Sequence, residues 1–177
     1  AEILVVDNAS EDESLKAALY FRERVNFVRN SVNRGLAAAV NQAFASSTTP
    51  YVLLLNPDIR VGDGALALLE DFMNTHQQAG AVGGYVNEKY LPREFPAVGT
   101  LVRENLGFSR PPTARNRNVE PMPVDQPAGA ALMIRRDAYE EIGGYDEQFY
   151  PAWYEDVDFC RRLATAGWKL YYAPRAE

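Results

Sequence analysis

The chain has 177 residues, of which 47% are hydrophobic and 24% are charged, and its formal net charge is -6. This balance indicates one globular domain and excludes a disordered chain. The acidic net charge argues against a nucleic-acid partner, because a protein that binds nucleic acid needs stripes of basic residues to neutralise the phosphates. A single cysteine excludes an intramolecular disulfide and fits a reducing compartment. No apolar run approaches the roughly 20 residues that span a bilayer, and the first residues show no secretory signal pattern.

Short apolar runs predict strands, and apolar residues at helical spacing predict helices. In chain order the predicted elements are a strand at Ile3–Val6, a helix from Ser10 to about Arg24, a strand at Val25–Val28, a helix from Leu36 to about Ser46, a strand at Tyr51–Leu55, a helix around Leu66–Met73, strands at Ala81–Val86 and Ala130–Ile134, helices at Asp137–Ile142 and Asp156–Ala166, and a strand at Trp168–Tyr172. Ser10 and Glu13 form a plausible capping box for the first helix. This alternation predicts an α/β domain with a largely parallel sheet.

Residues 88–125 interrupt the alternation with six prolines, five arginines and no sustained periodicity. A segment of this length without elements is typical of a functional loop. Because the regular pattern resumes after it, we interpret the segment as part of the same domain rather than as a linker.

Candidate catalytic carboxylates stand at or near strand ends or in an adjoining loop: Asp7, Asp58 and the pair Glu155–Asp156. In open α/β sheets, ligands bind beyond the carboxyl ends of the strands. Each acid also has a structural alternative. Asp7 and Asp58 could be ordinary turn residues, and the acid pair could complement a helix dipole.

Helix spacing separates Asp156 from Asp158. The residues three, four and seven positions after Asp156 are apolar: Phe159, Cys160 and Leu163. Asp156 is therefore expected on the core side, whereas Asp158 is expected on the solvated side, at ion-pair spacing from two arginines. A carboxylate on the core side is costly without a function, so Asp156 is the catalytic candidate.

Six motifs carry a family resemblance. They are Leu4–Ser10, Asn33–Ala37 with Asn41, Leu55–Asp58, Gln126–Ala130, Gly143–Glu147 and Trp153–Asp158. In this order they cover nearly the whole chain, which resembles the family 2 glycosyltransferases and, among them, rhamnosyltransferase-like members. The resemblance implies a GT-A fold, a Rossmann-like and mostly parallel sheet with helices on both faces. It also implies inverting transfer by direct displacement at the anomeric carbon of a nucleoside-diphosphate sugar.

The resemblance also implies roles for single residues. Asp7 matches the contact to the nucleotide base, where a carboxylate can accept from a pyrimidine N–H. Asp156 matches the general base that takes the acceptor hydroxyl proton. The remaining expected substrate contacts are Asn33, Arg34 and Gly35 beside the nucleotide, together with Asn56, Gly129, Trp153 and Glu155. Trp153 would stack on a sugar ring, although packing against the protein is the alternative.

Asn56-Pro57-Asp58 stands where the family places its metal motif, and Asp58 is the expected ligand of Mg²⁺ or Mn²⁺. Asn56 replaces the first aspartate of that motif, so metal binding is expected to be weaker. The only histidine, His76, is expected at the surface of a helix rather than on a metal. The family's first strand and first helix precede Ile3–Val6 and are absent, so we expect an N-terminally incomplete chain with weak or no activity.

The expected donor is dTDP-rhamnose or a UDP-sugar, and the expected acceptor is a saccharide or a polyprenyl-linked sugar of cell-surface polysaccharide assembly. Residues 88–125 would be a mobile segment on the acceptor side. The resemblance implies a cytoplasmic protein that can associate peripherally with the inner face of the plasma membrane. It is also compatible with a homo-oligomer. Two alternatives stay open: a degenerate or truncated sugar-nucleotide-binding domain without turnover, and a sugar-nucleotide pyrophosphorylase, which needs a Gly-rich phosphate loop.

Overall fold

The computed structural model describes residues 1–87, 89–96, 99 and 120–177, with only the backbone described at Leu15 and Ala17. The elements are β1 (Leu4–Asp7), α1 (Ser14–Leu19), β2 (Asn26–Arg29), α2 (Leu36–Ala45), β3 (Tyr51–Leu55), α3 (Ala65–Thr75), β4 (Ala79–Gly84), β5 (Met122–Pro123), β6 (Ala131–Arg135), α4 (Arg136–Glu141), α5 (Glu155–Thr165) and β7 (Lys169–Ala173). All but α1 and β5 begin and end within two residues of the predicted bounds.

The first helix is shorter than predicted, and its capping box does not form. Helix α1 covers only Ser14–Leu19, and Glu13 occupies the N-cap position. The backbone N–H of Ser10 instead donates to Oδ1 of Asp7 at 3.1 Å. Asp7 thus closes a turn directly after β1, and this turn delays the start of the helix.

The prediction of a mostly parallel sheet is wrong in part. Strands β1 and β2 form a parallel pair, and the second sheet has the order β3-β6-β4-β7-β5. Among the strands that the structure describes in that sheet, β4 and β7 are the one parallel pair, because β6 runs antiparallel to β3 and β4, and β5 runs antiparallel to β7. An apolar run shows that a strand is buried but not its direction, which depends on the connection that precedes it.

Most of residues 88–125 lies outside the described residues, and so does most of the prediction made for this segment. Its described C-terminal end contains β5, which belongs to the sheet, contrary to the expectation of no regular elements. Arg93 forms a β-bridge with Gln126, and β5 pairs with β7. The acceptor-side position and the mobility of the segment stay predictions.

The chain divides into two compact units. The first unit comprises Ala1–Thr49 and Gly144–Phe159, and the second comprises Pro50–Gly143 and Cys160–Glu177. The prediction of one catalytic domain stays a prediction. No helix in the described ranges is both long enough and apolar enough to cross a membrane.

The second unit is built on the five-stranded sheet. Leu69, Phe72 and Met73 of α3 pack against Val82 and Met133 in one buried cluster. Residues that alternate with Met133 along β6, Leu132 and Ile134, point to the opposite face and are fully buried. The sheet is therefore covered on both faces, which explains why its strands are almost wholly apolar.

A buried arginine ties β6 to the end of α3. The guanidinium of Arg135 donates to the carbonyl oxygens of Ala79, Met73 and His76 at 2.8, 2.7 and 3.1 Å, and to the hydroxyl of Tyr51 at 3.3 Å. Because the last carbonyls of a helix lack partners within the helix, Arg135 satisfies groups that burial would otherwise leave unpaired.

In the first unit, helix α2 and the segment after residue 143 hold one another. The side chain of Asn41 donates to the carbonyl oxygen of Tyr145 at 2.9 Å and accepts from its N–H at 3.0 Å. The ring of Tyr145 stacks on Phe159 of α5, with centroids 4.1 Å apart. These contacts fix the start of the segment that leads into the acid pair.

Strands β1 and β3 each have one partner strand in the part of the chain that the structure describes: β2 pairs with β1, and β6 pairs with β3. The expectation of an N-terminally incomplete chain stays a prediction.

Candidate functional site

Asp7 ends β1 as a buried and charged group. Only 7% of the residue is exposed. Hydrogen bonds from Ser10 and the nearby Arg29 guanidinium, whose Nε lies 3.7 Å from Oδ2, hold the pKa of Asp7 below its ordinary value, against the effect of burial. The carboxylate therefore stays an acceptor at neutral pH.

Asn8 organises the loop between β2 and α2. Its side-chain amide donates to Oδ1 of Asn33 at 2.9 Å and to the carbonyl oxygen of Gly35 at 3.1 Å. Its Oδ1 accepts from the backbone N–H of Arg34 at 3.0 Å and from the amide of Asn30 at 3.1 Å. One side chain thus joins three of the predicted nucleotide-side residues, directly after the fourth, Asp7.

Asn8 belongs to one of the six motifs, but the motif by itself indicates no role for this residue. A polar residue at a strand end is a usable signal, yet its partners lie 22 to 27 positions away in the sequence. Spacing along one element cannot reveal such contacts. Asn30 extends the network, because its side chain exchanges hydrogen bonds with Gln42 at 2.8 and 2.9 Å.

Gly35 begins α2 in a conformation that favours glycine, with a φ of 84°. A Cβ at this position would lie 3.0 Å from the ring of Tyr150 and 3.1 Å from the carbonyl oxygen of Pro151. That oxygen accepts from the N–H of Leu36 at 3.0 Å. The predicted nucleotide loop is therefore in direct contact with the segment that precedes α5.

Three exposed aromatic residues precede the acid pair. The exposed fractions of Tyr150, Trp153 and Tyr154 are 61%, 80% and 65%. Trp153 and Tyr154 have φ values of 89° and 69°, in the left-handed region that side chains rarely adopt. The structure thus exposes Trp153 rather than packing it, and we call Tyr150, Trp153 and Tyr154 the aromatic corner.

Burial does not separate Asp156 from Asp158 in the way that helix spacing predicts. Both side chains are half-buried at the start of α5, and the fully buried acid is Glu155, of which 6% is exposed. Phe159, four residues after Glu155, lies on the same face of the helix. The core face of this first turn passes through Glu155 as well as Cys160, one position before the residue that helix spacing predicts.

Glu155 is electrostatically unusual. Burial raises the pKa of Glu155, the neighbouring charge of Asp156 adds to the rise, and hydrogen bonds from the backbone N–H groups of Glu155 and Trp153 oppose it. Its Oε2 is buried and has no hydrogen-bond partner among the residues that the structure describes. Such an atom in a folded protein calls for an explanation.

In the second unit, the structure brings two other predicted site residues close together. The N–H of Asn56 donates to the carbonyl oxygen of Ala130 at 3.0 Å, and Leu55 is paired with Ala131 in the ladder. Gly129 directly precedes Ala130. Asn56 and Gly129 therefore stand at the same end of the β3–β6 pair.

Asp58 follows in an exposed turn and lines an open cleft of about 370 Å³. The cleft lies between the end of β3, the start of α3 and the end of β4. Its wall is mainly apolar, with polar groups from Arg60, Asn87 and Tyr90 beside Asp58. The carboxylate of Asp58 is therefore accessible to a ligand that binds in this cleft.

The ability of the Asn56-Pro57-Asp58 motif to bind a divalent cation depends on Asp58. In the described part of the chain, no group of three or more His, Cys, Asp or Glu could hold a metal. His76 is exposed at the C-cap of α3, where its ring stacks on Phe72 with centroids 4.0 Å apart. Mg²⁺ is commonly held by one or two carboxylates together with substrate phosphates and waters. Asp58, with the neutral oxygen of Asn56 two residues earlier, fits that mode.

Known proteins share this fold. The structure superposes with a TM-score of 0.70 on a mannosyltransferase from Pyrobaculum calidifontis in complex with GDP-Man and Mn²⁺, at 19% identity, covering 99% of this chain and 46% of that one. It superposes with a TM-score of 0.74 on GalNAc-T7 with UDP, GalNAc and Mn²⁺, at 17% identity, covering 99% and 36%. The fold is thus the α/β GT-A fold of glycosyltransferases, with a mixed sheet.

Sequence comparison shows which glycosyltransferases the chain is similar to. The chain is 31% identical to the N-acetylglucosaminyl-diphospho-decaprenol L-rhamnosyltransferase of Mycobacterium tuberculosis, over 99% of this chain and 64% of that protein. It is 25% identical to the rhamnosyltransferase WbbL of Escherichia coli, over 80% of this chain and 56% of that protein. Residues 1–143 match the glycosyl transferase family 2 domain. The chain belongs to glycosyl transferase family 2. It spans less than two thirds of these two relatives.

Proposed function

We propose that this chain is the catalytic core of an inverting glycosyltransferase that moves a sugar from a nucleoside-diphosphate sugar to a saccharide or polyprenyl-linked acceptor. The first candidate donor is dTDP-rhamnose, with a UDP-sugar as the second. The similarity to two rhamnosyltransferases supports the sugar, and the decaprenol-linked substrate in the name of one relative supports the acceptor class.

One observation carries the proposal: the side chain of Asn8, which directly follows Asp7, joins Asn33, Arg34 and Gly35 in one hydrogen-bonded loop. A loop that is already fixed binds a nucleotide base more tightly than a mobile loop does. A mobile loop would lose conformational entropy when its donors and acceptors become ordered on the base. The charged carboxylate of Asp7 would accept from the N–H of a pyrimidine ring. The exposed guanidinium of Arg34 would meet the phosphates.

Asp156 is the proposed general base. As the acceptor hydroxyl oxygen forms its bond to the anomeric carbon, its proton passes to the Asp156 carboxylate. The bond from that carbon to the diphosphate oxygen breaks at the same time, and the electron pair leaves with the nucleoside diphosphate. Attack on the face opposite to the leaving group inverts the anomeric configuration. A positioned base contributes roughly 10²–10⁴-fold in rate.

Asp58 is the proposed protein ligand of Mg²⁺ or Mn²⁺, with Asn56 beside it. When bound, the cation would neutralise charge on the departing diphosphate. Both GT-A structures described above contain Mn²⁺. Gly129, at the same strand end as Asn56, has no side chain and would allow close approach of the substrate.

A binding domain without turnover is the second candidate. The specific observation in its favour is the single carboxylate in the Asn56-Pro57-Asp58 motif, together with the lack of a three-ligand group in the described residues. Family membership weighs against a sugar-nucleotide pyrophosphorylase. With a polyprenyl-linked acceptor, the enzyme would act at the inner face of the plasma membrane. The proposal is compatible with a homo-oligomer.

The deciding experiment combines binding and transfer. Thermal unfolding is followed with dTDP-rhamnose, UDP-glucose and UDP-N-acetylglucosamine, with Mn²⁺ or with EDTA, because a ligand that binds only the folded state raises its stability. Transfer of radiolabelled sugar to a polyprenyl-diphosphate N-acetylglucosamine acceptor is measured in parallel. Metal-dependent binding with transfer supports the enzyme. Binding without transfer supports the second candidate, and no stabilisation by any donor contradicts both.

A further inference from the structure

The second unit carries another open cleft besides the one beside Asp58. Its volume is about 310 Å³, near the lower end of the roughly 300–1,000 Å³ that small-molecule sites occupy. The cleft lies between the end of α4, the end of α5 and the turn that joins α3 to β4. We call it the Trp168 cleft, and the residues that line it are Gln77, Gln78, Glu141, Ala166, Gly167 and Trp168.

The Trp168 cleft is at the opposite edge of the sheet from the proposed metal motif. Gln78 directly precedes β4 and Trp168 directly precedes β7, and these two strands are parallel, so the cleft lies at their amino ends. Strand β3 runs in the same direction as β4, because both are antiparallel to β6. Asn56 and Asp58 follow the carboxyl end of β3. A strand of the length of β4 spans about 16 Å, so a ligand in the Trp168 cleft lies apart from the donor chemistry.

The end of α5 fixes the backbone of Trp168. Gly167 has a φ of 94°, in the left-handed region. Its N–H donates to the carbonyl oxygen of Ala164 at 3.1 Å, and the N–H of Trp168 donates to that of Leu163 at 3.0 Å. This pair of hydrogen bonds is the Schellman motif, which ends a helix at a glycine and sets the direction of the residue that follows.

The indole ring of Trp168 is held as well. Its Nε1 donates to Oε2 of Glu141 at 2.8 Å. A Cβ at Gly80 would lie 2.8 Å from Cβ and 3.2 Å from Cγ of Trp168, so the tryptophan packs into the space that the glycine leaves. Trp168 is nevertheless only half-buried, and the rest of the side chain faces the cleft. A ring that is already fixed loses little conformational entropy when a ligand stacks on it.

Two amide side chains supply hydrogen-bonding groups beside the ring. The side chain of Gln77 donates to the carbonyl oxygen of Asn74 at 2.7 Å, which orients its amide. The backbone of Gln78 is fixed because its carbonyl oxygen accepts from the N–H of Lys169 at 2.9 Å, while its side chain is exposed. An amide group both donates and accepts hydrogen bonds. The cleft therefore offers partners of both kinds to hydroxyl groups.

The composition of the Trp168 cleft restricts what it can bind. Its described lining contains no lysine, arginine or histidine, so the phosphates of a nucleotide would meet no cation there. Glu141 is its one charged residue, and this carboxylate already accepts from the indole. An organic cation is best held by several aromatic rings, and the cleft has one. A neutral sugar ring matches better, because its C–H face can meet the indole while the hydroxyl groups at its edge reach the amides.

We propose that the Trp168 cleft is a non-catalytic saccharide-binding site, in which a pyranose ring lies against Trp168 and its hydroxyl groups hydrogen-bond to Gln77, Gln78 and Glu141. The site binds a neutral sugar unit and takes no part in the proposed transfer reaction. In a glycosyltransferase it would hold a portion of a glycan that is remote from the reacting sugar.

The first test follows the indole N–H signals in proton–nitrogen correlation NMR spectra. The chain has two tryptophans, Trp168 and Trp153 of the aromatic corner, and Trp153→Phe assigns the two signals. Methyl glycosides of N-acetylglucosamine, glucose, galactose, mannose and rhamnose are titrated into the protein. We expect a saturable shift of the Trp168 signal with at least one glycoside and a Kd of about 1–10 mM. A saturating amount of UDP with Mn²⁺ should not compete.

The second test removes one proposed contact without disturbing the fold. Gln78→Ala deletes an exposed amide and should raise the glycoside Kd about fivefold, the effect of one net hydrogen bond. Gln148→Ala is the matched control, because Gln148 is also an exposed glutamine but lies outside the cleft. Glu141→Gln keeps an acceptor for the indole N–H and removes the charge, so the Kd for a neutral sugar should change by less than about threefold.

Four results would overturn the proposal. They are the absence of a saturable Trp168 shift with every glycoside up to about 50 mM, a shift confined to Trp153, suppression of the shift by UDP with Mn²⁺, and equal effects of Gln78→Ala and Gln148→Ala. A response to choline chloride that Glu141→Gln abolishes would instead make the cleft a cation site. None of these measurements depends on sugar transfer, so a protein that transfers no sugar but shows the expected shifts keeps the saccharide site and contradicts the proposed function alone.

Discussion

The side chains of Asn8 and Asn33 are joined by a hydrogen bond of 2.9 Å from the amide of Asn8 to Oδ1 of Asn33. The same Oδ1 accepts from the N–H of Gly35 at 2.9 Å. This pair connects the end of β1 to the start of α2 across 25 positions of sequence. The loop that we propose for the nucleotide thus depends on a residue that would not itself need to touch the ligand.

Asn8→Ala should therefore weaken nucleotide binding. The substitution removes four hydrogen bonds and leaves Asn33 and Arg34 without a common partner, so we expect a loss of about 1–2 kcal/mol in stability and a nucleotide Kd raised about tenfold. Denaturant unfolding and isothermal titration with dTDP or UDP measure the two effects. Asn26→Ala, which removes an exposed hydrogen bond to Glu2, is the control. Equal effects of both substitutions would contradict the organising role of Asn8.

The metal prediction concerns Asp58. Asp58→Ala should abolish the increase in nucleotide affinity that Mn²⁺ provides, because Asp58 is the proposed carboxylate ligand of the cation. Asn56→Asp should preserve or tighten metal-dependent binding by adding a second carboxylate. Asp63→Ala, in the exposed loop before α3, serves as the control. Unchanged metal dependence in Asp58→Ala, measured by titration with and without EDTA, would show that the assignment is wrong.

The base prediction compares two neighbouring acids. Asp156→Asn should leave donor binding nearly intact and lower kcat by about 10²–10⁴-fold, because an amide cannot accept the hydroxyl proton. Asp158→Asn should change kcat little. Both acids are half-buried, so a general effect of burial would reduce both variants alike. Steady-state rates with a fully active form of the enzyme decide between these results.

Glu155 gives a prediction with a defined pH dependence. The folded state raises the pKa of this group above its ordinary value of 4.5, so folding favours the protonated form. Stability is therefore reduced as pH rises from the ordinary value through the folded pKa, and the full penalty applies above that range. Glu155→Gln should be more stable than wild type at neutral pH, with the difference disappearing as pH falls below about 4.5.

Thermal unfolding of wild type and Glu155→Gln between pH 4 and pH 8 measures this difference. Glu70→Gln is the matched control on an exposed helix position. A difference that does not change with pH would assign the effect to packing rather than to the charge.

Arg135 gives a prediction on stability alone. Arg135→Met removes the Arg135 donor from the buried carbonyl oxygens of Met73 and Ala79, and also from the His76 carbonyl oxygen and the Tyr51 hydroxyl, which should lower the free energy of unfolding by about 2–4 kcal/mol. Arg60→Met removes an exposed charge in the same unit and should change little. Urea unfolding compares the two, and a similar small effect in both would contradict the role of Arg135 as a tie between α3 and β6.

The sequence by itself determined most elements, because the periodicity of apolar residues is local. Tyr51–Leu55 was predicted with the bounds that β3 has, and the order of six motifs identified the family before any contact was known. The sequence also grouped Asp7, Asn33, Arg34 and Gly35 on one functional side, although only the resemblance supported that grouping.

The tertiary structure alone decided the direction of β6, the hub position of Asn8, and the burial of Glu155 instead of Asp156. Strand direction depends on the connection between strands, and a hydrogen bond across 25 residues leaves no periodic trace in the sequence. At the start of α5, the orientation of the helix against its neighbours decides which of two adjacent acids enters the core. Helix spacing gives the face to within about one residue, and packing fixes the remaining rotation.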